Sequence, residues 1–418
     1  MNYRILLLIF LMLTIANVFI YLQRNNGYEY VKQSSYQQLY PNISKGITTT
    51  AIEKDSIAVI DLKGYNSSDK WMIKCNDSII LREEKLPLKF AIKESLNRYT
   101  FQAKDSLPKP VIVDIDYAPA SVYKKNGSSI ATNYEIRYSN LPFVTKENDA
   151  VNKWKDDLKY MPAEDLKNVR SILSDTLHIQ PNDSTLKKIK IIGSYIYRSV
   201  EQSLGTPPDS LAQYSVYKQF CFAKQGLAKI WCGNIADIFH LFATEAGIVC
   251  RNIGLTGYKD IFAMGLHSAN ECYLPETGEW CCNDLTQNIL FLSDSSGKIL
   301  NTIDLFQLKK MGQAASVVMY RTGDSSILKT GYADADKKYI WRENEILFPY
   351  PYNPASLYNW KNKLKRYFSA DPWLEIYSEK ITYSNRKFYL KIYLFYSWMI
   401  LGLINLVIYL VKRWQARY

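Results

Sequence analysis

An apolar segment stands at each end of this 418-residue chain, and the pair constrains the fold more than any other feature. Ile5 to Leu22 is almost uninterrupted aliphatic sequence behind Arg4, broken only by Thr14 and Asn17 and followed by Arg24. Ile392 to Val411 is its counterpart, closed by Lys412, Arg413 and Arg417. A membrane span needs roughly 17–25 predominantly apolar residues, whereas a helix at the surface of a soluble core keeps a polar face. Both segments therefore read as transmembrane helices, which puts the two termini on one side of the membrane and the whole middle of the chain on the other. Basic residues leave the orientation balanced: Arg24 offsets Arg4, and Arg386, Lys387 and Lys391 offset the basic tail. A short basic start before an apolar segment normally exports the chain behind it, so the middle is expected in the periplasm or at the cell surface. No A-x-A-like site precedes Asn25, so the first segment reads as an uncleaved anchor, with a cleaved leader as the alternative.

The net charge of +12 raises the question of nucleic acid, and its distribution answers it. From Lys361 to Tyr418 there are eleven Lys and Arg against three acids, so eight of the twelve excess charges flank the second span, where basic residues meet anionic lipid. The rest of the chain is nearly balanced, which excludes a nucleic-acid binder. The abundance of Lys, Asn, Ile and Tyr suggests a bacterial source. Seven cysteines follow no regular framework, contain no CxxC and have only His178, His240 and His267 to join them, so neither a structural zinc site nor any cofactor is implied. Most of them read as small, buried, apolar side chains.

The middle is long enough for two domains. From Gly46 to about Lys104, short β-prone runs alternate with polar turn clusters, as in Ile57–Ile60, Trp71–Lys74, Ile79–Leu81, Lys89–Ile92 and Tyr99–Phe101. Pro110–Tyr117 and Asn133–Tyr138 follow. Strands at such spacing predict an antiparallel β-sandwich-like domain over 25–145, with a structural or partner-binding role. Near Val151 the period becomes helical: Leu186, Ile189, Ile192, Gly193, Ile196 and Val200 form one stripe. A second, mixed domain is assigned to 146–345, with strand and loop in its last part. Residues 346–390, rich in Tyr, Trp, Lys and Pro, read as a juxtamembrane stalk before the span at 391–412 and a basic tail at 413–418; the first anchor occupies 1–24.

Chemistry concentrates in the second domain. Cys232 opens an amphipathic helix that Gly247 can close, and a thiol in a first helical turn is favoured as thiolate by unpaired N–H groups and the helix dipole. A nucleophilic thiol also needs a proton-transfer partner. His240, eight residues on, would sit about 12 Å along the helix axis and cannot serve. His178, in Leu177-His178-Ile179-Gln180-Pro181, reads as a surface residue. His267 remains. It begins a strand to Leu274 that turns at Pro275–Gly278 and returns to Asp284, which brings Asp284 to within a residue or two of His267 with matching side-chain parity. Cys232 as nucleophile, His267 as acid and base, and Asp284 as the orienting carboxylate complete a triad. The backbone N–H of Cys232 is the expected oxyanion donor, with Gln219 or Gln225 as side-chain candidates.

These landmarks resemble the transglutaminase-like superfamily of papain-related thiol enzymes. The matching pieces are Trp231-Cys232-Gly233-Asn234 with Ala236, Ala246-Gly247-Ile248-Val249-Cys250-Arg251, His267 with Asn270-Glu271, and Gly278-Glu279-Trp280 with Asp284-Leu285-Thr286-Gln287-Asn288. The resemblance implies an α+β fold with a helix-borne Cys, a strand-borne His and an Asp on the next strand. It also implies a protein or peptide substrate and acyl transfer through a thioester. Water as acceptor gives a peptidase or amidase; a lysine amine gives a crosslinking transglutaminase. A non-catalytic binding scaffold of the same fold is the alternative of a different class.

Overall fold

The structure, a computed structural model, describes residues 3–22, 30–34, 36–40, 47–53, 56–62, 65, 68–104, 109–119, 132–141, 151–259, 262–295, 297–310, 314–324, 326–331, 345–351, 368, 370, 374–378 and 384–417. It is a mixed α+β protein that divides into two compact units, one of residues 1–33, 352–376 and 381–418 and the other of 34–351 with 377–380.

The first unit is built on the two terminal helices, α1 (Tyr3–Leu22) and α8 (Arg386–Gln415), each long and apolar enough to cross a membrane. At 1.5 Å per residue the 30 residues of α8 extend about 45 Å. That exceeds the roughly 30 Å hydrocarbon layer and leaves room for its charged ends outside it. Thr14 and Asn17, the two polar interruptions of α1, join the helices: Trp398 donates Nε1–H to Thr14 Oγ1 at 2.8 Å, and Asn17 Nδ2 donates to the Leu394 carbonyl at 3.3 Å. Phe10 stacks on Trp398 and lies against bare Gly402, where a Cβ would stand 3.0 Å from its ring. Small and hydrogen-bonding residues are what hold helices together where lipid gives no hydrophobic drive. Strand β1 (Lys32–Gln33) runs parallel to Leu374–Ser378, and Lys32 pairs at 2.8 Å with the buried carboxylate of Glu375.

The second unit begins with the expected strands: β2 (Ile47–Glu53), β3 (Ile57–Leu62), β4 (Trp71–Cys75), β5 (Ser78–Glu84), β6 (Leu88–Ala91), β7 (Ser95–Ala103), β8 (Val111–Pro119) and β9 (Thr132–Ser139). They form a three-stranded sheet, β2-β3-β6, and a five-stranded sheet, β5-β4-β7-β8-β9. Alternate residues of both sheets, Ile60 and Phe90 from one and Ile73, Tyr99 and Phe101 from the other, enter one shared core. Asn76 and Asp77 both have positive φ, the geometry of a two-residue hairpin between β4 and β5.

Helices α3 (Ala163–Ser171), α4 (Thr185–Val200), α5 (Val216–Lys224) and α6 (Cys232–Glu245) then pack on an antiparallel ladder of β16 (Glu345–Pro349), β10 (Cys250–Lys259), β11 (Phe262–Leu274) and β12 (Glu279–Asn283), in that spatial order. Alternation splits this ladder between two cores. Cys250, Cys272, Leu274 and Cys281 join the helices, while Ile253, Leu255, Trp280 and Phe348 join a second cluster with Trp154 and Phe306. The stripe read from α4 is buried as expected, with Ser184 capping its start. Gly193 within it matters: a Cβ there would stand 2.7 Å from Leu290 Cδ2 and 3.3 Å from Leu285 Cδ2, the two leucines that bracket the turn after Asp284. A smaller sheet of β13 (Phe291–Ser293), β14 (Val318–Thr322) and β15 (Ile327–Gly331) follows.

Three features differ from the sequence reading. Residues 345–349, at the expected start of a stalk, are a strand of the site-bearing ladder, because Glu345–Leu347 align with Gly254–Thr256. Most of the remaining stalk, 352–383, lies outside the described residues. Residues 36–40, with the short helix α2 (Tyr36–Leu39), pack with Trp154, Ile253 and Phe348 rather than in the β domain. Helix α7 (Thr302–Lys310) occupies a stretch read as strand and loop. Thr302 to Gln307 are all buried, so no polar face marks a helical period there.

Candidate active site

Helix α6 starts at Cys232, with Trp231 in extended conformation before it and the Ile235 N–H bonded to the Trp231 carbonyl at 3.1 Å. Asn234 braces this start: its Oδ1 accepts from Trp231 N–H at 3.2 Å, and its Nδ2 donates to Gln219 Oε1 at 2.8 Å. Gln219 in turn donates Nε2 to the Tyr214 carbonyl at 2.8 Å. The Gln219 amide thus ties the chain before α5, at Tyr214, to the thiol-bearing turn, at Asn234. Gln225 is exposed at the end of α5. The backbone N–H of Cys232 stands in the first turn of this helix, where the sequence reading expects an oxyanion donor.

The β11–β12 register aligns Asn270 with Asn283, so continuing the ladder puts Asp284 opposite Ala269, two residues from His267 and on the same side of the pleat. Across that diagonal His267 Nε2 and Asp284 Oδ2 lie 2.7 Å apart. Asp284 is buried, and its other oxygen, Oδ1, accepts the backbone N–H groups of Thr286 at 3.1 Å and Gln287 at 3.4 Å. These bonds cap the turn at Leu285–Gln287 and fix the carboxylate plane.

His267 also hydrogen-bonds with the Cys232 thiol; with Nε2 committed to Asp284, Nδ1 is the ring nitrogen open to sulfur. Burial opposes the Cys232 thiolate, but the His267 hydrogen bond, the backbone N–H of Ser268, the His267 charge and the N–H of Gly233 together hold the thiol below its ordinary value. Burial likewise opposes the imidazolium, yet the Asp284 charge and hydrogen bond, with Cys232, raise His267 to about 10. At neutral pH these directions favour a thiolate–imidazolium pair. The Ser268 and Gly233 backbone donors were invisible in the sequence, since any residue supplies an N–H and only the fold aims it. Ala269, opposite Asp284, and Leu285, next to it, are both buried.

The other two histidines are elsewhere. His178 is exposed in a loop with positive φ. His240 lies buried on α6 with Nε2 3.1 Å from Asp156 Oδ2. On the same helix, Asp237 Oδ1 accepts from Asn252 Nδ2 at 2.6 Å. Among the described residues there is no group of three His, Cys, Asp or Glu side chains arranged to hold a metal ion.

The pH profile of a reaction at this site should be bell-shaped, rising as Cys232 ionises below the usual thiol range and falling as His267 loses its proton near pH 10. Asp284→Asn removes the charge that raises His267, so the falling limb is expected to move down by about one pH unit or more. An unmoved alkaline limb would show that Asp284 does not act on His267.

The fold and site together define an α+β protein with a Cys–His–Asp constellation. No family model and no curated protein matches the sequence. Among solved structures, a crystal structure described as a candidate cysteine protease from Cytophaga hutchinsonii is similar at 13% identity and a TM-score of 0.23, over 63% of this chain and 83% of that one. So distant a likeness assigns neither fold family nor chemistry.

Proposed function

We propose that the chain is a membrane-anchored thiol enzyme with a transglutaminase-like, papain-related catalytic domain, and that it hydrolyses amide bonds in a protein or peptide substrate. One observation carries the reading: a single imidazole interacts with a depressed thiol and with a carboxylate held in place by backbone N–H groups. In the proposed reaction the Cys232 thiolate attacks the amide carbonyl carbon. The oxyanion forms at the start of α6, where backbone N–H groups converge. His267 gives its proton to the departing amine, leaving a thioester on Cys232. The neutral imidazole then takes a proton from water as it attacks the thioester, and returns that proton to sulfur as the acid departs. Asp284 orients the ring and stabilises its positive form in both halves. The β domain is assigned to holding a protein partner, and the chain between the spans to the extracytoplasmic side.

Alkylation tests both the chemistry and the side. A membrane-impermeant iodoacetamide derivative added to intact cells at neutral pH is expected to modify Cys232 at least about tenfold faster than half-buried Cys221. Equal rates would remove the nucleophile, and modification only after lysis would reverse the orientation. Incorporation of a labelled primary amine into a Gln-containing protein, lost in His267→Ala, would replace hydrolysis by crosslinking. Equal rates with no turnover of any amide would leave the binding scaffold.

A further inference from the structure

Three buried cysteines stand in line across the site-bearing ladder. Cys250 on β10 is directly opposite Cys272 on β11, which is directly opposite Cys281 on β12. All seven cysteines are reduced in this structure. The Tyr273 N–H donates to the Val249 carbonyl at 2.9 Å, which makes Val249 and Tyr273 a hydrogen-bonded pair. Alternation then makes Cys250 and Cys272 a non-hydrogen-bonded pair, with Cα atoms about 4.5 Å apart and side chains at their closest. The same alternation turns the amide of Cys272 towards β12, so Cys272 and Cys281 form the wider, hydrogen-bonded kind, about 5.5 Å between Cα atoms. The thiols of Cys250 and Cys272 are within hydrogen-bonding reach of one another.

A base is built beside the pair. His240 is buried on α6 with Nε2 on Asp156, which leaves Nδ1 as the ring nitrogen open to the Cys250 thiol, and that thiol lies close enough to interact with the ring. Asp156, Asp237 and Cys250 are the titratable groups that act on His240 or are acted on by it. Burial opposes charge on His240, but the Asp156 hydrogen bond prevails and raises it. Burial raises and neighbours lower the Cys250 thiol, with a net depression, whereas burial and Cys250 raise Cys272.

We infer that Cys250 and Cys272 are a redox site: they close to a cross-strand disulfide that clasps β10 to β11, the strand that carries His267, with His240 as the proton acceptor. The co-reactant is a disulfide, R–S–S–R, of the thiol–disulfide exchange class. Both sulfurs are buried, so exchange takes place while the ladder is open. The Cys250 thiolate, its proton held by His240, attacks R–S–S–R to form a mixed disulfide, and the expelled RS⁻ takes that proton and leaves as RSH. Cys272 then attacks Sγ of Cys250, its proton passing to the second RS⁻ as that group is expelled as RSH. Two thiols are oxidised and one disulfide is reduced. The inference rests on register and on the His240 pocket, and is independent of what Cys232 does.

The test uses the full chain in detergent carrying Cys232→Ala, so that failure of the nucleophile reading cannot interfere. Incubation with oxidised glutathione, alkylation and peptide mapping are expected to yield one cross-linked peptide joining Cys250 to Cys272 and the loss of two titratable thiols. His240→Gln should slow its formation about tenfold at pH 7. A link to Cys281, or full alkylation of Cys250 and Cys272 after oxidation, would overturn the inference. A closure rate unchanged in a folded His240→Gln protein would overturn the role of the base.

Discussion

Cys232→Ala and His267→Ala are each expected to lower kcat for amide hydrolysis by on the order of 10⁴ or more, and the double variant to lower it no further. The reason is that thiol and imidazole act as one unit: without the ring the thiolate loses its hydrogen bond and charge partner, and without the thiol the ring has nothing to activate. The part of the ultraviolet thiolate absorbance at neutral pH that Cys232→Ala removes should also be lost in His267→Ala, which separates loss of ionisation from loss of substrate binding. Neither variant should unfold, because Cys232 and His267 are only half-buried at the edge of the core. Additive losses in the double variant, or activity retained in Cys232→Ala, would end the proposal.

The second large effect is on stability. Glu271→Gln is expected to cost about 3–5 kcal/mol, read as a lower urea midpoint with an unchanged slope. Arg251 and Glu271 sit opposite one another on β10 and β11 with no exposure, bonded through Nη2–Oε2 at 2.6 Å and Nε–Oε2 at 2.9 Å. The guanidinium is enclosed by Trp280, Phe348, Tyr40 and Trp154, whose ring centres lie 4.0, 4.6, 4.8 and 4.9 Å away. The second oxygen of Glu271 accepts from Tyr40 OH at 2.8 Å and from Thr302 N–H at 2.6 Å. Removing the carboxylate charge leaves a buried guanidinium without its counter-ion, and desolvation is then uncompensated. The paired change Arg251→Met with Glu271→Leu should cost less than Glu271→Gln alone. In the folded fraction kcat should be unaltered, since neither side chain is one of the reacting groups. A Glu271→Gln midpoint equal to that of the unsubstituted chain would show that the cluster is not electrostatically coupled.

Much of the candidate site was legible in the sequence for a local reason. A thiol at the start of an apolar 3.6-residue period, and a His and an Asp of matching parity on two arms joined by Pro275–Gly278, are patterns of short range that helix and hairpin geometry convert directly into placement. The same holds for α4, whose stripe names its buried face, and for the alternating strands of the β domain. Helix α7 escaped because burial on all sides erases periodicity. Nor does the amphipathic pattern of α6 show that His240 and Asp237 are held by Asp156 and Asn252.

The chain's own order of residues thus determined the two terminal apolar helices, the strand-rich front, the helix bearing Cys232 and the hairpin bearing His267 and Asp284. Tertiary structure alone decided the rest. It aimed the Ser268 and Gly233 N–H groups at Cys232, used both ends of Gln219 as a brace, and brought Tyr40 across 231 residues to Glu271. It also chose Cys272, rather than Cys281, as the closer neighbour of Cys250's ladder position. The division is physical: periodicity records which face of an element seeks the core, but nothing local encodes which distant groups meet there, and those meetings are fixed by packing and by the need of every buried charge and N–H for a partner.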